Sequence, residues 1–178
     1  MKQKSRLVAA LVILGVAMGI GVGYLAVPTD PTPPVNGPTR VLFEQPFKDA
    51  NDRVVDLKPY RDHVLIVNFW ATWCAPCIKE MPELSAMQIE FADQPVQFVG
   101  LAIDSQEKVR QFEKRLPQKY PLLVLGASGI ELARQFGNSD GALPFTVVLN
   151  RNNQVIDRTV GIVAMDHLRN VIKQALTN

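Results

Sequence analysis

The sequence predicts an α/β fold, on three observations. Val64-Leu65-Ile66-Val67-Asn68-Phe69-Trp70 is a β-branched and aromatic run that reads as a strand buried on both faces, and Lys79 to Phe91 behind it has the apolar spacing of a helix. Val96 to Ile103 reads as a second buried strand, which completes a βαβ unit of ordinary size with parallel pairing expected. Arg40 to Asn178 is long enough for a single core, and no repeat interrupts it.

In chain order, residues 1–6 carry Lys2, Lys4 and Arg6, and Leu7 to Val27 then runs for 21 residues without a charge. As a helix that run would span about 30 Å, the thickness of a bilayer hydrocarbon core. A transmembrane anchor over 7–27 is therefore expected. A cleaved signal peptide is the competing reading, but the run is long for one and bulky Tyr24 stands three residues before any cut after Ala26. Three cations before the run, and none between Val27 and Arg40, place the N-terminus in the cytoplasm and the rest outside. The expected location is a bacterial inner membrane, with the C-terminal domain in the periplasm or on the outer face. Residues 28–39 hold Pro28, Pro31, Pro33, Pro34 and Pro38 and read as a stiff, extended spacer.

Within the domain at 40–178, Asp49-Ala50-Asn51-Asp52 is a turn signal between Phe43–Phe47 and Arg53–Leu57, which predicts a leading β-hairpin. After the βαβ unit, Gln106–Leu116 reads as a surface helix, Leu122–Leu125 as a short strand, and Ser128–Phe136 as a helix closed by Gly137. Phe145–Asn150 and Gln154–Val160 flank the turn Arg151-Asn152-Asn153 and should pair as a hairpin. Met165–Leu176 ends the chain as a helix with Leu168, Val171, Ile172 and Ala175 on one side. With the three N-terminal cations and Asp30 set aside, the 19 Lys and Arg and 17 Asp and Glu leave equal numbers of each sign in the domain, so no nucleic-acid partner is expected.

The chain's only cysteines, Cys74 and Cys77, sit in Trp73-Cys74-Ala75-Pro76-Cys77, where the first buried strand gives way to the helix. Two thiols three positions apart can close a disulfide within one helical turn. Cys74 falls at the helix N-terminus, where unpaired N–H groups and the helix dipole favour a thiolate, so Cys74 is the expected nucleophile and Cys77, a turn inside, the resolving thiol. Pro76 suits an early helical turn, where its missing N–H has no partner to lose. A structural disulfide across so short a loop would remove little unfolded-state entropy. Zinc wants about four ligands, and beyond the cysteines only the distant His63 and His167 are available; haem attachment wants His where Ile78 stands. Neither metal nor cofactor is expected. Met81, Met87 and Met165 raise copper, but Met81 and Met87 have a spacing that fits core packing. On the helical wheel Glu80 lies inside the stripe of Cys77, Met81, Leu84, Met87 and Phe91, while Lys79 and Glu83 lie outside it. A carboxylate on a buried face is costly unless used, and its raised pKa would suit proton exchange with Cys77.

Asn68-Phe69-Trp70-Ala71-Thr72-Trp73-Cys74-Ala75-Pro76-Cys77, followed by Lys79-Glu80-Met81-Pro82, resembles the active-site segment of the TlpA/ResA-like thioredoxin-fold proteins, which are membrane-tethered extracytoplasmic thiol–disulfide oxidoreductases. The similarity continues through Leu143-Pro144-Phe145-Thr146-Val147-Val148-Leu149-Asn150 and covers the whole of 40–178. It implies a thioredoxin-like fold with a central mixed sheet flanked by helices, a cis Pro144 facing Cys74, and Leu143 offering backbone groups to an extended substrate peptide. Ordinary thioredoxins have a buried aspartate where this chain has Asn68; Glu80 matches the carboxylate of the tethered branch. Trp73 reads equally as a rim residue contacting partners or as packing that orders the loop.

Two function classes follow. One is an enzyme that reduces disulfides in exported clients, cytochrome c precursors among them by resemblance, fed by a membrane thiol electron donor. The other is a metallochaperone or assembly factor that holds client thiols without turnover.

Overall fold

The computed structural model describes residues 37–177, so the span at 7–27 and most of the proline-rich spacer lie outside the described residues. No helix among the described residues is long and apolar enough to cross a membrane. The elements are α1 (Pro38–Glu44), β1 (Phe47–Lys48), β2 (Val54–Val55), β3 (Val64–Trp70), α2 (Ala75–Glu90), β4 (Val96–Ala102), α3 (Gln106–Arg115), β5 (Leu122–Val124), α4 (Ser128–Gln135), β6 (Phe145–Leu149), β7 (Val155–Val160) and α5 (Met165–Thr177), with a 3-10 turn at Lys58–Tyr60.

Five strands form one mixed sheet in the order β5-β4-β3-β6-β7. β3 runs parallel to β4 and antiparallel to β6, β4 parallel to β5, and β6 antiparallel to β7. All seven residues of β3 are buried, as a strand at the centre of a sheet covered on both faces must be. Alternation divides its side chains between two cores. Ile66 and Trp70 join Phe98, Leu84, Phe112 and Ile172 on the face of α2, α3 and α5. Leu65, Val67 and Phe69 join Leu101, Leu42, Phe43 and Phe136 on the face of α1 and α4.

The leading hairpin exists but is shorter than predicted: β1 and β2 pair only as Phe47↔Val55 and Lys48↔Val54. The predicted strand at Phe43–Phe47 is corrected over most of its length, because Pro38–Glu44 is a helix. Pro38 sits in its first turn, where no N–H is needed, and Thr39, Leu42 and Phe43 are buried at helical spacing. The hairpin turn is tied by Asp49, whose Oδ1 accepts the N–H groups of Asn51 and Arg53 at 2.8 and 3.0 Å. Asp49 also bridges to Leu123, so the hairpin lies along the β5 edge of the sheet. Gly137, at φ 105°, ends α4, and the N–H of Asn138 reaches Ala133 O at 3.0 Å across that left-handed turn.

Candidate active site

β3 ends at Trp70, and four residues later α2 begins with Cys74 as its N-cap (φ −90°, ψ 96°). Cys74 and Cys77 are joined as a disulfide with a Cα–Cα distance of 5.3 Å, and the Cys77 N–H donates to Cys74 Sγ at 3.3 Å. The Cys74 sulfur thus occupies the position from which an N-cap side chain takes up an orphan donor of the first turn. The two cysteines differ little in exposure, 5% for Cys74 and 0% for Cys77. Around them Trp73 is 67% exposed and Ala75 and Pro76 are exposed as well, so Trp73 stands on the rim.

The approach to Cys74 is a closed turn in which the Cys74 N–H donates to Ala71 O at 3.1 Å. Thr72, inside that turn, donates both its N–H, at 3.2 Å, and its hydroxyl to Asp104 Oδ2, just beyond the end of β4. The Leu143–Pro144 peptide bond is cis, as the resemblance implies, and Pro144 O accepts the N–H of Gly161 at 2.8 Å. Leu143 is partly buried and packs against both cores, one of which contains the dithiol.

Glu80 lies on the buried face of α2, one turn past Cys77, and is 2% exposed. Its Oε1 accepts from Asn68 Nδ2 at 2.8 Å and its Oε2 from the Val163 N–H at 3.1 Å. The Asn68 amide also donates to Thr146 Oγ1 at 3.1 Å, so residues of β3, α2, β6 and the β7–α5 connection meet at this carboxyl. Burial raises the Glu80 pKa, with the Glu83 charge a minor contributor in the same direction; the Val163 and Asn68 hydrogen bonds pull the other way and only partly offset burial. Asn68 Oδ1 and Trp70 Nε1 are buried and have no hydrogen-bond partner among the described residues. Met81 and Met87 are core residues, as their spacing indicates.

Three residues of this arrangement were not singled out as site residues from sequence. Asn68 had a signal, as the lone polar residue in an otherwise apolar central strand. Thr146 and Asp104 had none, because their roles depend on the register of β3 with β6 and β4. A cleft of about 530 Å³, lined among others by Val41, Phe47, Leu125 and Leu132, lies on the α1 and α4 side and contains none of these residues.

A family profile described as Redoxin matches residues 29–174. The chain is 27% identical over 179 residues to the thiol-disulfide oxidoreductase ResA of Geobacillus thermodenitrificans, covering 95% of each chain, and 25% identical over 127 residues to the protein of the same name from Bacillus cereus, covering 71% of each. Among solved structures, a thioredoxin-related protein from Neisseria meningitidis serogroup B is 32% identical with a TM-score of 0.65, covering 74% of this chain and 99% of that one. A putative thiol:disulfide interchange protein DsbE from Chlorobium tepidum shares the fold, with a TM-score of 0.67 at 22% identity over 83% of this chain and 98% of that one.

Proposed function

Since the chain belongs to the redoxin family and is a TlpA/ResA-like thiol–disulfide oxidoreductase, we propose that it reduces disulfides of exported proteins from a membrane-tethered position, with Cys74 as the attacking thiol. The observation that carries this proposal is the place of the Cys74–Cys77 disulfide at the N-terminus of α2, with Cys74 as the cap. In the reduced protein the Cys74 thiolate attacks one sulfur of a client disulfide, forming a mixed disulfide and releasing the other client sulfur as a thiolate. Cys77 then passes its proton to the Glu80 carboxylate, one helical turn away on the same buried face, and its thiolate attacks Cys74 Sγ. The second client sulfur leaves as a thiolate. With one proton returned by Glu80 and one from solvent the client is a dithiol, two electrons richer, while the protein is left as the disulfide seen here. A thiol donor in the membrane restores the dithiol.

The nearly buried dithiol is flanked by exposed Trp73, Ala75 and Pro76, a surface setting that suits a client that is itself a protein. Trp73, Leu143 and Pro144 form the contact surface for its extended segment. Tethering and outward orientation rest on the uncharged run at 7–27 and its cationic flank. Cytochrome c precursors are the client class we favour, on the strength of the family resemblance. Insulin reduction with a chemical electron donor tests the enzyme: catalytic turnover is expected, and stoichiometric capture of insulin thiols without turnover would overturn it. A reduction potential well below the poise of the exported compartment is expected for the reductive direction.

A further inference from the structure

The turn that delivers Cys74 to its helix has buried ends at Ala71 and Cys74, but its middle is held by one side chain. Ala71 and Cys74 close a turn through the Cys74 N–H, and the two residues between them are Thr72 and Trp73. Trp73 is 67% exposed, so burial does not anchor the tip. Thr72 is anchored by Asp104, whose Oδ2 accepts both the Thr72 N–H and the Thr72 hydroxyl. Asp104 is in turn fixed: it is 9% exposed, its Oδ1 accepts the Ser105 N–H at 2.8 Å, and Lys108 Nζ lies 3.6 Å from the same oxygen. Burial by itself would raise its pKa, but the hydrogen bonds from Thr72 and Ser105, with Lys108, outweigh it and keep Asp104 a carboxylate.

We infer that Asp104 is a positioning residue for thiol–disulfide exchange: through Thr72 it holds the turn that keeps Cys74 at the N-cap of α2. A thiolate at Cys74 gains from the first-turn N–H groups and the helix dipole only while its sulfur stays over the helix end. Freeing Thr72 lets the turn rotate, and the nucleophile loses that alignment without losing any atom that reacts. This inference rests on Cys74 being the attacking thiol.

The test is alkylation of Cys74 by iodoacetamide in the reduced full-length chain, located by peptide mass and run beside insulin reduction. Asp104→Asn, Thr72→Val, Thr72→Ser and the Asp104→Asn/Thr72→Val pair are compared at fixed pH. Asp104→Asn and Thr72→Val are each expected to slow alkylation about tenfold, the scale of losing a hydrogen bond to a charged group. The pair is expected to be no slower than the slower single variant, because both cut the same link. Thr72→Ser, which keeps the hydroxyl, should stay within about twofold of the parent. A purely structural Asp104 would lower the melting temperature of Asp104→Asn and leave the alkylation rate alone; effects that multiply in the pair would show that Asp104 acts other than through Thr72. Either result overturns the inference. If Asp104→Asn fails to fold, Thr72→Val against Thr72→Ser decides it: equal rates refute the clamp. Cys74 being the slower-alkylated cysteine would instead strike at the assignment of the nucleophile.

Discussion

Glu80 Oε2 accepts the backbone N–H of Val163 across 83 residues of sequence, at 3.1 Å. That bond joins the helix carrying the dithiol to the connection between β7 and α5, and it uses a main-chain donor that no substitution at position 163 other than proline would remove. With Asn68 on the other oxygen, Glu80 is held on both sides in a site where burial raises its pKa.

Replacing Glu80 by Gln should therefore slow exchange by about a hundredfold, within the range typical of a lost general acid–base group, and change the pH profile of the dithiol. The fold should survive, because the Asn68 amide can turn and present its unpartnered Oδ1 to the new NH2 group. Stopped-flow exchange across the neutral range, with circular dichroism as the fold control, checks this; an unchanged rate and profile would show Glu80 to be structural.

The same residue sets a stability prediction. The folded chain holds the Glu80 proton above the ordinary 4.5, where the unfolded chain has released it. Its contribution is thus complete below 4.5 and is lost as pH rises through the higher folded value. Gln does not titrate, so melting temperatures of Glu80→Gln and parent should diverge in favour of the variant as pH rises through that window. A constant difference would mean that Glu80 has the same pKa folded and unfolded.

Cys74→Ser should abolish exchange, whereas Cys77→Ala should leave an attacker that cannot release its client and so accumulates mixed disulfides. Non-reducing gels of the two variants with exported proteins check the assignment. Trapping by Cys74→Ser instead would reverse the two roles.

Gly100 lies opposite Asn68 in the sheet, and a Cβ built on it would meet Leu122 Cδ2 at 2.5 Å, Trp70 Nε1 at 3.1 Å and Tyr120 Cε2 at 3.3 Å. Gly100→Ala should cost about 1–3 kcal/mol by overpacking. Denaturant unfolding checks it, and a loss below about 0.5 kcal/mol would show that Leu122 gives way freely.

For topology, the chain should remain in the membrane fraction with its C-terminal domain accessible from outside. Fractionation and N-terminal sequencing of the exported form check this. A soluble product beginning near Pro28 would identify 7–27 as a cleaved signal.

What could be read in advance was whatever period and spacing encode. β3, α2 and β4 followed from apolar pattern, and the dithiol from two cysteines at a strand-to-helix junction. The buried place of Glu80 followed from its angle on the wheel. The segment at 43–47 misled because a short apolar run fits either period, and Pro38, which starts α1, looked like part of the spacer. What holds Glu80 and Thr72 was hidden for a different reason: Val163 contributes only its main chain, and Asp104 matters only once β3 and β4 are in register.

The hairpin along β5 has a bearing on self-association. A sheet with two free margins can add copies at both and grow without limit, whereas one with a single free margin cannot. Among the described residues the hairpin meets β5 through the Asp49–Leu123 bridge, while no described strand pairs the far side of β7. A second copy adding along β7 would bury the margin that no described strand covers, whereas the same addition at β5 would first have to displace the hairpin.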